Sequence, residues 1–299
     1  MKRHCVAAAL SALNDLPDEL IHLIISNVKT FLIIAQLNHH YRDAVDRWLS
    51  QVSVCLEEGL QQKHLDRMPN LTTLDLTSNY SVTNLSRHTQ LMGLNLLRNE
   101  MISDISMLQR LRSLCLHSNY LIADLSKNTA LTELDISANT QIKDISQQTT
   151  LRILYLNFNR QIKDISQLTQ LTKLELYYNH IIHDISMLTA LKSLGLSDTI
   201  KDLTNNVALE ELTINRNTHI TTLANQTALT SLSLAQNTAI HDITYLTLLT
   251  KLDLSFNTTV TDVTPLTSLR MLTIYDNTSV KYNRANCTIK GPLAGTGLI

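Results

Sequence analysis

Histidine, cysteine, aspartate and serine are the side chains here that could carry a reaction, and their spacing argues against one. His39 and His40 are adjacent, with His22 and His64 nearby in sequence. Adjacent residues of a helix point about 100 degrees apart, so this pair does not converge on one metal ion. Cys5, Cys55, Cys115 and Cys287 lie far apart with no C-x-x-C pair. That spacing fits neither a zinc site nor a dense disulfide framework, and it points to a reducing compartment. No G-x-x-x-x-G-K-[ST], H-E-x-x-H or G-x-S-x-G string is present, and six glycines leave little for phosphate-cradling loops. The reading is a chain that is not an enzyme and uses neither cofactor nor metal.

Charge and hydropathy narrow the partners. Lys+Arg number 25 and Asp+Glu 26, a formal net charge of -1, so no global field holds nucleic acid or an anionic membrane. No apolar run reaches the roughly 18 residues of a membrane span. Residues 1–13 place basic side chains ahead of an apolar run, as signal peptides do, but cleavage there would strand the following motif at a new terminus. With 44% hydrophobic residues the chain can bury a substantial core, and any partner must be chosen by local shape and chemistry.

The elements that would position such a surface come from an internal repeat. Leucine recurs at 71, 91, 111, 131, 151, 171 and 191, then at 209, 229, 249 and 269. A typical unit carries Leu151, Leu154, Leu156, Asn159, Ile162, Asp164, Ile165, Ser166, Leu168 and Thr169. In L-x-x-L-x-L a short strand turns leucine inward at alternate positions, and one unit cannot cover its own leucines. Stacking buries them at about 1.5–3 kcal/mol each, and strand pairs with strand in parallel. The recurring asparagine, from Asn79 to Asn277, offers an acceptor and donors to a backbone that turns inward away from water, so these residues should form a ladder. Aspartates and serines of the D-I-S triplets repeat too, so they satisfy local backbone groups and perform no catalysis.

The repeat sets the boundaries. Residues 1–48 form a helical segment, 49–280 the solenoid with an irregular cap coil at 49–70, and 281–299 a poorly ordered cap or tail. Leu49, Val52 and Val54 match the strand template 22 residues ahead of Leu71. From Leu191 to Ala208 the unit is two residues short, and Asp198-Thr199 stands at the asparagine turn. A local change of curvature or a looser seam is expected there.

Two resemblances follow. The repeats are leucine-rich repeats of the short kind found in internalin-type and SDS22-like proteins. That implies an α/β solenoid: an arc with a parallel β-sheet on its concave face and mostly irregular or 3₁₀ turns on its convex face. Ahead of it, L-P-D-E-L and F-L-I-I-A-Q-L-N-H-H-Y resemble the F-box, a helical motif that binds Skp1 within cullin-RING ubiquitin ligases. Leu16, Pro17, Glu19, Leu20, Ile24 and Val28 fall on its first helix, and Phe31, Leu32, Leu37 and Tyr41 on its later apolar positions. Tyr41 stands where that family usually has tryptophan, and the usual Asp-Pro between the helices is missing. The layout implies an adaptor that brings an unidentified substrate protein to the ligase. Together with bacterial-looking repeats it resembles effectors secreted and translocated into a host cytoplasm. The alternatives are a non-catalytic interaction scaffold and an internalin-type binding protein, for which the leading helices are only a cap.

Outward strand positions define where a partner would sit. In two central units they include Ile153, Tyr155, Asn157 and Phe158, then Lys173, Glu175, Tyr177 and Tyr178. Aromatics make up only 4% of the chain, so this cluster is the expected target-binding patch. His117, Phe256 and Tyr275 flank it.

Overall fold

The computed structural model describes residues 53–55, 60–66, 70–196, 198–277, 279–283 and 287–291. The F-box-like positions between Leu16 and Tyr41, with His22, His39 and His40, lie outside them.

Every repeat contributes one short strand. The series runs β1 (Ser53–Cys55), β2 (Thr73–Asp75), β3 (Gly93–Asn95), β4 (Ser113–Cys115), β5 (Glu133–Asp135), β6 (Ile153–Tyr155) and β7 (Lys173–Leu176). It continues through β8 (Ser193–Leu196), β9 (Glu211–Thr213), β10 (Ser231–Ser233), β11 (Lys251–Asp253), β12 (Met271–Thr273) and β13 (Thr288–Lys290). They form a single 13-stranded parallel sheet in sequence order, a leucine-rich-repeat solenoid with little helix. Among the described residues a short helix, α1 (Gln62–Leu65), precedes β2. Along β6, as along β2, β3, β4 and β5, leucine alternates with half-exposed residues, and the inward faces of the sheet merge into one continuous core dominated by Leu and Ile.

The asparagine ladder explains how the chain leaves the strand. Asn159 is fully buried; its amide donates to the Ile136 and Asn139 carbonyls at 2.9 and 3.2 Å. Its Oδ1 accepts the Gln161 and Ile162 N–H groups at 2.9 and 3.0 Å. One side chain thus closes its own turn and stitches it to the preceding unit. The residue before each asparagine is left-handed, with φ from 50 to 61° at ten non-glycine positions between Ser78 and Asp276. Such a conformation costs about 1–2 kcal/mol. It lets the Phe158 N–H reach the Tyr177 carbonyl at 2.9 Å, a bond repeated along the sheet.

On the return side successive i to i+3 bonds carry the chain back, as from Leu168 to Ile165 and from Leu171 to Leu168. Each D-I-S aspartate caps this segment; Asp164 Oδ1 accepts the Ser166 N–H at 2.8 Å. A second polar ladder, unforeseen in the sequence, lies beneath. His88, Asn128, Gln148, Asn206 and Gln226 are buried where other units place Leu108, Leu168, Leu188, Leu246 and Leu266.

Two expectations need correction. The seam at the shortened unit is not loosened: β8 pairs with β7 over four residues and with β9 over three, in unbroken register. The Thr199 hydroxyl takes over the missing amide's bond to the preceding unit, so two residues are lost without loss of pairing. At the start, Ser53 pairs with Thr73, a spacing of 20 and not 22, which puts Val54 opposite Leu74. At the end, the segment expected to be a cap or tail supplies β13, whose Ile289 faces Leu272 and shields the last leucine row.

Candidate functional site

The sheet presents its outward side chains in rows, because parallel register with a 20-residue period sets equivalent positions side by side. Ile153 faces Lys173, and Tyr155 faces Glu175. The eight residues singled out in the sequence therefore occupy two adjacent strands and the turns that follow them.

They divide into two clusters. On the strands, Lys173 Nζ lies 5.0 Å above the Tyr155 ring and 3.4 Å from Glu175 Oε1. Glu175 Oε2 also accepts from Asn157 Nδ2 at 3.1 Å, while Asn157 Oδ1 accepts the Tyr177 N–H at 2.8 Å. Burial works against the Lys173 ammonium, but Tyr155 and Glu175 outweigh it and hold its pKa above the usual value. Burial likewise pushes the Tyr177 phenol up, partly offset by a hydrogen bond with Thr213. Ile153 completes this half-buried, pre-ordered surface.

In the turns, Phe158 and Tyr178 stack face to face, centroids 4.7 Å apart and planes 11° from parallel. Both sit at the left-handed position, which aims their side chains off the sheet edge, and they remain 54% and 49% exposed. The rings pack on each other and still offer about half their area to a partner. Phe256 and Tyr275 are 48% exposed farther along, and His117 lies 3.7 Å from Asp135.

Tyr177 rests on a feature the sequence reading passed over. Its hydroxyl occupies the place a Cβ at residue 195 would need, so Gly195 is the cradle of this ring. The signal was legible as a glycine at an outward strand position, where closeness of another group is the usual reason. Beyond Tyr177 the small Gly195, Ser231 and Ser233 help to line a trough of about 330 Å³.

The Cys115 thiol is pushed up to about 12, chiefly by burial, and burial also raises Cys287, so neither is a ready nucleophile. Among the described residues no group of three or more His, Cys, Asp or Glu is placed to hold a metal ion. Nor is any helix among them long and apolar enough to cross a membrane.

Comparisons with known proteins agree with the architecture. A leucine-rich-repeat family model matches residues 245–263. An internalin from Listeria monocytogenes superposes with a TM-score of 0.56 at 26% identity, covering 84% of this chain and 86% of that one. A leucine-rich-repeat protein of Leptospira interrogans gives 0.54 at 22% identity, covering 76% and 74%. No curated protein matches the sequence. The solenoid is internalin-like, an architecture typical of non-catalytic proteins that bind other proteins.

Proposed function

We propose that this chain is a protein-interaction scaffold that holds a partner protein on the outward sheet face around β6 and β7, in the manner of an internalin-type binding protein. The observation carrying this reading is the juxtaposition of a pre-ordered Tyr155–Lys173–Glu175–Asn157 network with the exposed Phe158–Tyr178 stack. Rigid aromatic anchors beside satisfied polar groups lose little entropy on association, the usual make-up of an interface hot spot. A photo-cross-linking residue placed at Tyr178 should capture a discrete partner that the same residue at Asp124, on the return side, does not. Combining Tyr155→Ala with Tyr177→Ala should abolish that capture while the chain still melts cooperatively. Capture unchanged in the folded double variant would overturn the reading.

A second reading assigns the leading segment. The L-P-D-E-L string at residues 16–20, directly ahead of repeats, supports an adaptor that binds Skp1 through Leu16, Pro17, Glu19, Leu20, Ile24, Val28, Phe31, Leu32, Leu37 and Tyr41. Such an adaptor works in cytoplasm, reached by translocation if the chain is a bacterial effector; its scattered cysteines suit a reducing compartment. Purified Skp1 should be retained by the intact chain and lost when Leu16→Ala and Pro17→Ala are combined. Failure of the folded wild-type chain to retain Skp1 would overturn the adaptor reading.

A further inference from the structure

Charge is distributed unevenly over the molecule. The whole chain carries a formal net charge of -1. On the outward strand positions from β2 to β13, however, Asp75, Glu133, Asp135, Glu175, Glu211 and Asp253 stand against only Lys173, Lys251 and Lys290. Lys173 is already committed to Glu175 and the Tyr155 ring. The other carboxylates mostly meet neutral donors, which leaves their charge in place: Glu133 accepts from the Ser113 hydroxyl and Glu211 from the Ser193 hydroxyl. The sheet face is thus an acidic surface on a nearly neutral protein.

The trough beside Tyr177 lies within this surface. Tyr177, Gly195, Ser231 and Ser233 line it together with three carboxylates, Glu175, Glu211 and Asp253, and two lysines, Lys173 and Lys251. At its β7 wall the chain itself shows what such a combination accepts. There the Lys173 ammonium lies over one tyrosine ring with a carboxylate at 3.4 Å. With Lys173 committed to Glu175, Glu211 and Asp253 outnumber Lys251 around the rest of the trough, beside the Tyr177 ring, and the small Ser231 and Ser233 leave room for a long side chain. Cation and ring attract through the ring quadrupole, and a carboxylate in a concave, partly desolvated setting adds to that.

We propose that this trough receives a lysine or arginine side chain from a basic segment of the partner protein. The Tyr177 ring flanks the incoming aliphatic stem, and Glu211 pairs with the charged head. This rests on the sheet face being the interaction surface, and it adds what that surface selects.

The test titrates the full chain with a labelled alternating Arg-Ser peptide of about ten residues, and with an alternating Glu-Ser peptide of the same length. The basic peptide should bind, weaken as salt rises from about 50 to about 200 mM, and lose about tenfold in affinity with Glu211→Lys. Glu100→Lys, an equal charge change at an exposed corner off the sheet face, should cost less than about twofold. Equal losses from the two reversals, absence of basic-peptide binding, or tighter binding of the acidic peptide would each overturn the proposal. The partner captured from Tyr178 separates the two ideas. If its affinity is unaltered by Glu211→Lys but abolished by the Tyr155 and Tyr177 changes, the sheet face stands and the cationic selection falls.

Discussion

The Thr199 hydroxyl donates to the Asn179 carbonyl at 3.2 Å, the contact that an asparagine amide makes in regular units, as between Asn159 and Asn139. One hydroxyl replaces the inter-unit half of the asparagine's work. The other half, closing the turn through Oδ1, is not needed, because two residues are missing between the strand and Ile200. Asn217 then reaches across the shortened turn to the Ile200 carbonyl at 3.1 Å.

This division predicts unequal costs. Asn159→Ala removes two donors and an acceptor that serves one buried and one half-buried N–H group, so it should lower stability by about 3–5 kcal/mol. Thr199→Val keeps the shape and removes one bond, and should cost about 1 kcal/mol. Urea unfolding of both variants checks the ranking; a Thr199→Val loss equal to that of Asn159→Ala would show that the shortened turn is no substitute.

The asparagine ladder was legible because one residue type recurs at one spacing. The left-handed position beside it was not, since Ser78, Arg98, Ala138, Phe158 and Tyr178 share a backbone conformation and no side-chain chemistry. The eight proposed contact residues were legible as outward strand positions, and the structure gathers them on two neighbouring strands. Their division into a strand network and a turn stack was hidden, because it follows from that left-handed backbone. The trough was hidden as well: small side chains help to line it, and sequence reading looks for what is present. β13 escaped notice because Thr288 pairs with Met271 at a spacing of 17, outside the period.

The second polar ladder predicts gains. Asn128 sends its amide to the Ile105 and Leu108 carbonyls, yet its buried Oδ1 has no partner. Both carbonyls already accept a backbone N–H, from Leu108 and Leu111, so they stay satisfied without the amide. Gln148 repeats the situation, with an orphaned Oε1 and an amide on Leu125. Leucine stands at the equivalent place in other units, so Asn128→Leu and Gln148→Leu should each stabilise the chain by about 1–2 kcal/mol. A lowered melting temperature in both would show that the amides do more than fill space.

Gly195 and Tyr177 should behave as one unit. A Cβ at 195 collides with the ring of Tyr177, which must swing away and give up Thr213. Gly195→Ala should therefore cost about 1–2 kcal/mol in the wild-type background and little after Tyr177→Ala. A double-mutant cycle on thermal unfolding measures the coupling, and additive effects would deny the contact.

Acid should unfold the solenoid through its return side. Asp104, Asp124, Asp144, Asp164, Asp184 and Asp242 are held below the usual carboxylate value first by the N–H of the Ser or Thr two residues on and then by its hydroxyl. For Asp202 and Asp262 the threonine hydroxyl is the larger cause. A carboxylate whose pKa is depressed in the folded state contributes stability above its unfolded value of about 3.9, and that contribution is lost as pH falls through the folded value. Unfolding free energy should thus be flat near neutrality and drop below about pH 4, with a slope that reflects several aspartates at once. Asp164→Asn keeps an acceptor for the Ser166 N–H but removes one titrating group, so its curve should lie below wild type at pH 7, fall less steeply in acid and converge with wild type there. An acid slope unchanged by Asp164→Asn and Asp144→Asn together would place the titrating groups elsewhere on the molecule.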